Sequence, residues 1–283
     1  LRQPRCELLG ITTVSGQPRV RAAVADAICQ AAGRRDIPIH AGHDLATIWR
    51  SVVQPEVPQA PILTQFAHRT PESFAERTAV DFLRQQIHQR PGEITLLAIG
   101  PMTNLALLFN MDPDCVRLLK RVVLMCGVFH APPPGWGHAE WNARLDPHAT
   151  QVVYQSRVAE HLSVGLDVTM ACKLPSSEAV AAFRSAGGPL EVVAAATDIW
   201  GKHAGNVIFH DPLAGALLFN PGLCTTEPGL VNVELASTRG TGITWFDRAV
   251  DGPHRIAISV NPDAFFAEYF GVVGATAFTP RKS

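Results

Sequence analysis

Residues 94–99 (Ile-Thr-Leu-Leu-Ala-Ile) and 121–125 (Arg-Val-Val-Leu-Met) are short, almost uninterrupted apolar runs separated by a segment with helical spacing. A strand with water on one face alternates apolar and polar side chains, so such runs predict strands covered on both faces, the habit of parallel sheets. Parallel neighbours cannot be joined by a tight turn and need a crossover, usually a helix. The two runs therefore commit the chain to βαβ units, and the rest of the first half keeps the same rhythm. Leu8, Leu9, Ile11 and Val14 form a run that stops at Ser15-Gly16, after which Val20, Ala23, Val24, Ala27, Ile28 and Ala31 recur at helical spacing. Residues 37–39 predict a second short strand. Thr70-Pro71 is expected to cap and open a helix in which Val80, Leu83 and Ile87 share a face, with Pro91-Gly92 closing it. Further helices are predicted from Thr103 and from Asp146-Pro147, and residues 161–168 are expected to return as a strand.

After Pro175 the texture changes. Two helices are predicted at 176–186 and 190–204 and a third from His210-Asp211, followed by strands at 230–235, 243–246 and 256–260 joined by short turns. The expected class is α/β, a mostly parallel, doubly wound (Rossmann-like) sheet with a helical cap and antiparallel edge strands. A length of 283 residues with 47% hydrophobic content supports one large core, and no linker, repeat or low-complexity tract divides it, so residues 1–283 are read as a single domain. The chain begins at Leu1 rather than at a methionine and enters strand-like sequence within a few residues, so the domain is expected to be incomplete at its N-terminus.

Charge narrows the partners. Twenty-four basic against 25 acidic side chains give a net charge of −1 with no concentration of Lys and Arg, which argues against nucleic acid. No apolar run reaches the roughly 18 residues needed to span a bilayer, so no membrane partner is expected. Cys6, Cys29, Cys115, Cys126, Cys172 and Cys224 are scattered and form no Cys-x-x-Cys pair, which fits a reducing cytoplasm.

Ligands of open α/β sheets bind beyond the carboxyl ends of the strands, where loops converge and helix N-termini point free N–H groups. Four strand exits carry polar residues there: Thr12 to Gln17, Ile99 to Asn104, Met125-Cys126-Gly127 continuing to Glu140-Trp141-Asn142, and Phe209-His210-Asp211-Pro212. A glycine after a strand, as at Gly16 or Gly100, is more often backbone geometry than a ligand contact. Glu140 and Asn142 sit on alternate positions and would face one pocket if the segment is extended, although a solvated loop carboxylate has the same appearance. Asp before Pro at a helix start is an ordinary cap, and a lone histidine is more often structural than catalytic.

The ordered set changes that balance. LLGITTVSGQ, LLAIGPMTNLAL, VVLMCGV, AEWNARLDPHA, VGLDVT, HDPLA and STRGTGIT occur in the order and approximate spacing of the nucleoside hydrolase family, and the chain resembles its inosine-uridine-preferring, calcium-dependent N-ribohydrolases over nearly its whole length. The resemblance implies a calcium ion at the strand ends that holds the attacking water, with Asp211 as the late aspartate ligand and Ile99 lending its main-chain carbonyl. It implies that Glu140 and Asn142 grip the ribose hydroxyls, that Met125 packs under the sugar and that Gln17 stands where the family usually has a sugar-site asparagine. His210 is implied as the proton donor to the departing base, and homo-oligomers, dimers or tetramers, are implied as the assembly. The chemistry is coherent, because cleavage of a ribosidic C–N bond passes through an oxocarbenium-like sugar that carboxylate and amide oxygens stabilise.

Three departures qualify the match. The family's N-terminal D-x-D-P-x-x-D-D cluster, which supplies most calcium ligands, is not present, so residues 1–283 alone are expected to bind calcium weakly and to be impaired in activity. The loop from Pro132 to Gly137 lacks the usual glycine-asparagine, and the stretch after Gly42-His43-Asp44 lacks the family's glycine-rich continuation. Trp200, His203 and Phe209 are the candidates for base stacking or protonation, with core packing as the alternative for each. Beside hydrolysis of ribonucleosides stand two other readings, a non-catalytic nucleoside- or ribose-binding protein and an inactive fragment.

Overall fold

The structure, a computed structural model, describes residues 1–48 and 56–276, with the side chain of His203 outside that set. The first half unrolls as β1 (Ile11–Thr13), α1 (Pro18–Ala31), β2 (Ile39–Ala41), α2 (Ala79–Gln89), β3 (Thr95–Ala98), α3 (Thr103–Met111), α4 (Asp114–Leu118), β4 (Arg121–Met125), α5 (Trp141–Leu145), α6 (Pro147–Gln155), β5 (His161–Val164) and α7 (Leu166–Thr169). The second half continues with β6 (Lys173–Pro175), α8 (Ser176–Ala186), α9 (Pro189–Ala204), β7 (Asn206–Ile208), α10 (His210–Ala216), β8 (Cys224–Val233), β9 (Thr244–Arg248), β10 (His254–Val260) and α11 (Pro262–Val273).

The main sheet has six strands in the order β3-β4-β5-β10-β8-β9. Strands β3, β4, β5 and β10 run parallel, and β8 and β9 add on antiparallel. The mostly parallel α/β sheet with an antiparallel edge is thus as expected, and β10 returns to the interior beside β5. Strand β4 is buried on both faces: Val122 and Leu124 enter a core with α2, α3 and α6, while Val123 and Met125 enter a second core with α8, α10 and α11. Each such apolar side chain removed from water contributes about 1.5–3 kcal/mol, so this central strand anchors both layers.

The run at 94–99 behaves differently. Leu97 is 36% exposed and Ile99 41% exposed, because β3 is paired on one side only. Strands β1 and β2 form a separate parallel pair, in the register Ile11 to Ile39, and β1 also has one open edge among the described residues. The sheet is therefore split between β1 and β3. The two strand ends are nevertheless tied together: Asn104 Nδ2 donates to the Thr13 carbonyl at 3.0 Å, and its Oδ1 accepts from His43 N at 3.1 Å.

Two other expectations are corrected. Thr70-Pro71 opens only a single 3-10 turn, and Thr70 makes no side-chain cap. The chain then goes extended at Phe74, which is buried beneath the Arg69 guanidinium, and α2 starts afresh at Ala79 after Arg77 takes a positive φ. The strand expected over 161–168 stops at Val164, since Leu166 N donates to the Gly127 carbonyl at 2.8 Å and the chain turns into α7.

Candidate active site

Where β4 ends, the chain turns at Gly127, with φ 90. A side chain there would meet the Phe129 ring at 2.8 Å and the Thr244 hydroxyl at 3.0 Å, so the position is closed to anything but glycine. The turn aims its N–H at Glu140 Oε2, 3.1 Å away. Thr244 holds the same stretch in place, its hydroxyl accepting from Val128 N at 2.9 Å and donating to Val128 O at 2.8 Å.

Glu140 and Asn142 converge, but not as an extended segment. Glu140 is the N-cap of α5: Oε1 accepts from Asn142 N at 2.8 Å and Oε2 from Ala143 N at 3.0 Å. Burial raises its pKa, and the capping N–H groups with that of Gly127 work against the rise. An ionised carboxylate has about four lone-pair sites, so this one retains little capacity beyond its caps. Asn142 Nδ2 donates to the Met125 carbonyl at 2.9 Å and lies 3.7 Å from its sulfur. Met125, Glu140 and Asn142 thus form one buried cluster at the exit of β4, and Ile99, one residue beyond the Ala98–Leu124 pair, stands level with it on the neighbouring strand.

Helix α10 packs on β4, β5 and α7 and delivers His210 and Asp211 to the same place. The ordinary reading of Asp211 as a helix cap fails, because it lies inside the first turn and makes no capping bond. Burial, and secondarily the charge of Glu140, pushes its pKa up to about 7. Among the described residues no lysine or arginine offsets either carboxylate. His210 Nδ1 is 2.6 Å from the Thr169 hydroxyl, and burial holds the imidazole down at about 4, so it is neutral near pH 7.

Gln17 belongs to the other side of the split sheet. Ser15, Gly16 and Gln17 take successive φ values of 55, 59 and 59, a left-handed run that costs roughly 1–2 kcal/mol at each non-glycine residue. Arg21 Nε holds it, donating to the Ser15 and Gly16 carbonyls at 2.8 and 2.9 Å, while Gln17 N donates to Asp44 Oδ1 at 3.1 Å. Gln17 Oε1 accepts from Val57 N at 3.4 Å, and no hydrogen bond joins it to the β4 cluster. Of the base-contact candidates, Phe209 is fully buried among Phe265, Phe266 and Phe270 and is core. Trp200 lines an apolar cleft of about 500 Å³ with Pro58, Pro61, Ile199 and Ala204. The side chain of His203 lies outside the described residues.

Sequence reasoning gave no role to Thr169 or Thr244 and read Asp146 only as the start of a helix, which it is, although all three lie within the matched segments. Asp146 Oδ2 accepts from Thr47 N and Oγ1 at 2.8 Å each and from Thr103 Oγ1 at 2.7 Å, and Oδ1 caps α6 through Ala149 N at 3.0 Å. It links the loop after β2 to the start of α3. A buried Asp-Pro with threonines at two other strand exits is the sequence signal that would have found it. Among the described residues one group of His, Cys and carboxylate atoms is close enough to share an ion, His88, Asp112 and Cys115, but it sits at the far ends of α2 and α3, opposite the strand exits.

A parallel sheet with polar groups gathered at its carboxyl edge defines an α/β enzyme acting on a small polar molecule. The comparisons narrow this further: the chain belongs to the inosine-uridine preferring nucleoside hydrolase family, whose model matches residues 1–267. It is 29% identical over 250 residues to uridine nucleosidase 1 of Arabidopsis thaliana, covering 82% of this chain and 71% of that one. It is 30% identical over 231 residues to the pyrimidine-specific ribonucleoside hydrolase RihA of Citrobacter koseri, covering 76% and 71%. The purine-preferring ribonucleoside hydrolase from Gardnerella vaginalis superposes with a TM-score of 0.82 at 25% identity, covering 98% and 93%. The chain is accordingly an N-glycosyl hydrolase that cleaves ribonucleosides to ribose and free base, and a purely binding role is not favoured.

Proposed function

We propose that this hydrolase works through a calcium ion at the ends of β3 and β4. Asp211 and the Ile99 carbonyl would bind it together with further oxygen donors, the ribose hydroxyls among them, in the gap between β1 and β3. The observation that carries this is Asp211, a buried carboxylate beside a second one, with no cap to make and, among the described residues, no cation to balance it. Hard oxygen donors suit calcium, which takes 6–8 of them, and one aspartate with one carbonyl is too few, so further ligands must come from outside this set. The two open strand edges, held side by side through Asn104, supply a place for them. When bound, the ion orients the ribose diol and lowers the pKa of a water.

The remaining roles follow from the chain's own groups. Glu140 and Asn142 hold the ribose from the β4 side, with Met125 beneath it and Gln17 across the gap. Their oxygens stabilise the positive charge that develops on the sugar as the C–N bond breaks. His210 acts as a neutral donor: where the Thr169 hydroxyl donates to Nδ1, the proton resides on Nε2 and is available to the departing base. Trp200 is the residue proposed to stack on that base. Its relatives include a pyrimidine-specific and a purine-preferring hydrolase, so both uridine and inosine are proposed as substrates for assay.

No helix among the described residues is long and apolar enough to cross a membrane. We place the enzyme in the cytoplasm, supported by six free cysteines of which five are buried, and as a single-domain dimer or tetramer, which sedimentation measures. Ribose release from uridine and inosine tests the central reading. The protein should release it in a calcium-dependent manner, and Asp211→Ala should lose at least about 10²-fold. Wild-type rates in that variant would refute the role.

A further inference from the structure

The group formed by His88, Asp112 and Cys115 has no part in the catalysis just described. The three residues come from the last turn of α2, the C-cap of α3 and the first turn of α4, which puts them at the end of the sheet away from the strand exits. His88 Nε2 lies 2.8 Å from Asp112 Oδ2. One ligand atom from each residue, Cys Sγ included, falls within 4.8 Å of the other two. Cys115 N donates to the Asp112 carbonyl at 3.1 Å, a tight turn that sets thiol and carboxylate on the same side. Cys115 is buried and His88 exposed, so the cluster has a closed floor and an open mouth.

The competing reading is purely structural. Arg84 Nε also binds Asp112 Oδ2, at 2.6 Å, so Arg84 and His88, one turn apart, clasp the carboxylate and fasten α2 to the α3–α4 corner. That reading accounts for Arg84, His88 and Asp112, and the thiol beneath them packs in the core and hydrogen-bonds the Asp112 carboxylate. The same contacts bring a sulfur, an imidazole nitrogen and a carboxylate oxygen together, the donor set that a thiophilic cation takes. Around zinc, donors 2.0–2.3 Å from the metal stand about 3.4–3.7 Å apart, so His88 and Asp112 would open slightly and Cys115 would close in. Arg84 is half exposed and free to swing into solvent.

We propose that His88 Nε2, Asp112 and Cys115 Sγ bind a thiophilic divalent cation of the zinc type, separate from the catalytic calcium. The thiol gives its proton to solvent as the metal–sulfur bond forms, and Arg84 leaves the carboxylate. One thiolate and one carboxylate then neutralise the dication, with water in the fourth position. The mixed sulfur, nitrogen and oxygen donors favour zinc or cobalt over calcium, which keeps this site distinct from the first.

The test uses the whole protein in excess calcium, so that the strand-end site is silent, and titrates Zn2+ by calorimetry and Co2+ by absorbance. One ion per chain should bind, with a thiolate-to-cobalt charge-transfer band and proton release. His88→Ala should weaken binding at least about tenfold with ribose release unchanged, and Cys115→Ser should remove the band. Arg84→Ala supplies the decisive contrast, since it leaves all three ligands and removes a competing cation, so it should tighten binding. No uptake by the wild type, uptake undiminished in His88→Ala, or weaker binding in Arg84→Ala would overturn the site. None of these outcomes depends on the catalytic reading.

Discussion

Asp211 and His210 are neighbours in sequence, and burial moves their pKa values in opposite directions, both toward neutrality of the side chain. For Asp211 this has a consequence for stability. With a pKa near 7 in the folded state against 3.8 as its ordinary value, the folded protein holds a proton that the unfolded chain has already released. Stability from this group is complete below about pH 4 and is lost as pH rises through 7, by an amount on the order of a few kcal/mol. Calcium-free wild type should therefore weaken between about pH 4 and 7 in denaturant titrations and level off above that, and Asp211→Asn should not. The same loss of stability in the variant would place its origin elsewhere.

The Thr169 hydroxyl meets His210 Nδ1 at 2.6 Å and orients the ring, so Thr169→Val should lower kcat more than it raises KM, with the fold intact by circular dichroism. An unchanged kcat would show that the bond is incidental. Gly127→Ala should do worse than either, because it must strain a left-handed φ and displace Phe129, releasing an N–H that holds Glu140. A loss of about 2–4 kcal/mol in unfolding by denaturant is expected.

At the scale of elements, the sequence made the central pieces legible and obscured the edges for definable reasons. β4 was readable because both its faces are covered, and α8, α9 and α10 because each carries a regular apolar stripe. The 94–99 run carried the same signal, yet β3 is an open edge, since periodicity reports composition and not whether a neighbour is there. The Glu140–Asn142 segment hid a five-residue helix that exists through its cap rather than any apolar period. Likewise, Glu140, Asn142, His210 and Asp211 were identified as polar strand-exit residues, but Thr169 and Asp146 act through hydrogen bonds across 41 and 99 residues of chain, which no local pattern encodes. Asp146 is the strongest test at this level. Asp146→Ala strips a cap from α6 and two threonine anchors, and should cost about 3–5 kcal/mol in denaturant unfolding, with faster proteolysis near Thr47. A cost below about 1 kcal/mol would mean that the loop after β2 is held by other means.

For the molecule as a whole, the split between β1 and β3 is the dominant feature. Four parallel strands share two cores, whereas β1 and β2 rest on α1 and a smaller cluster that includes Phe74. Amide exchange should be slowest in β4, β5 and β10 and much faster on the facing edges of β1 and β3. Exchange on those edges as slow as in β4 would show that the gap is closed in solution.

The most direct measurement is calcium binding by calorimetry. One ion per subunit is expected in the wild type, lost in Asp211→Ala. Equal affinity in the two proteins would contradict the assignment of Asp211 as a ligand.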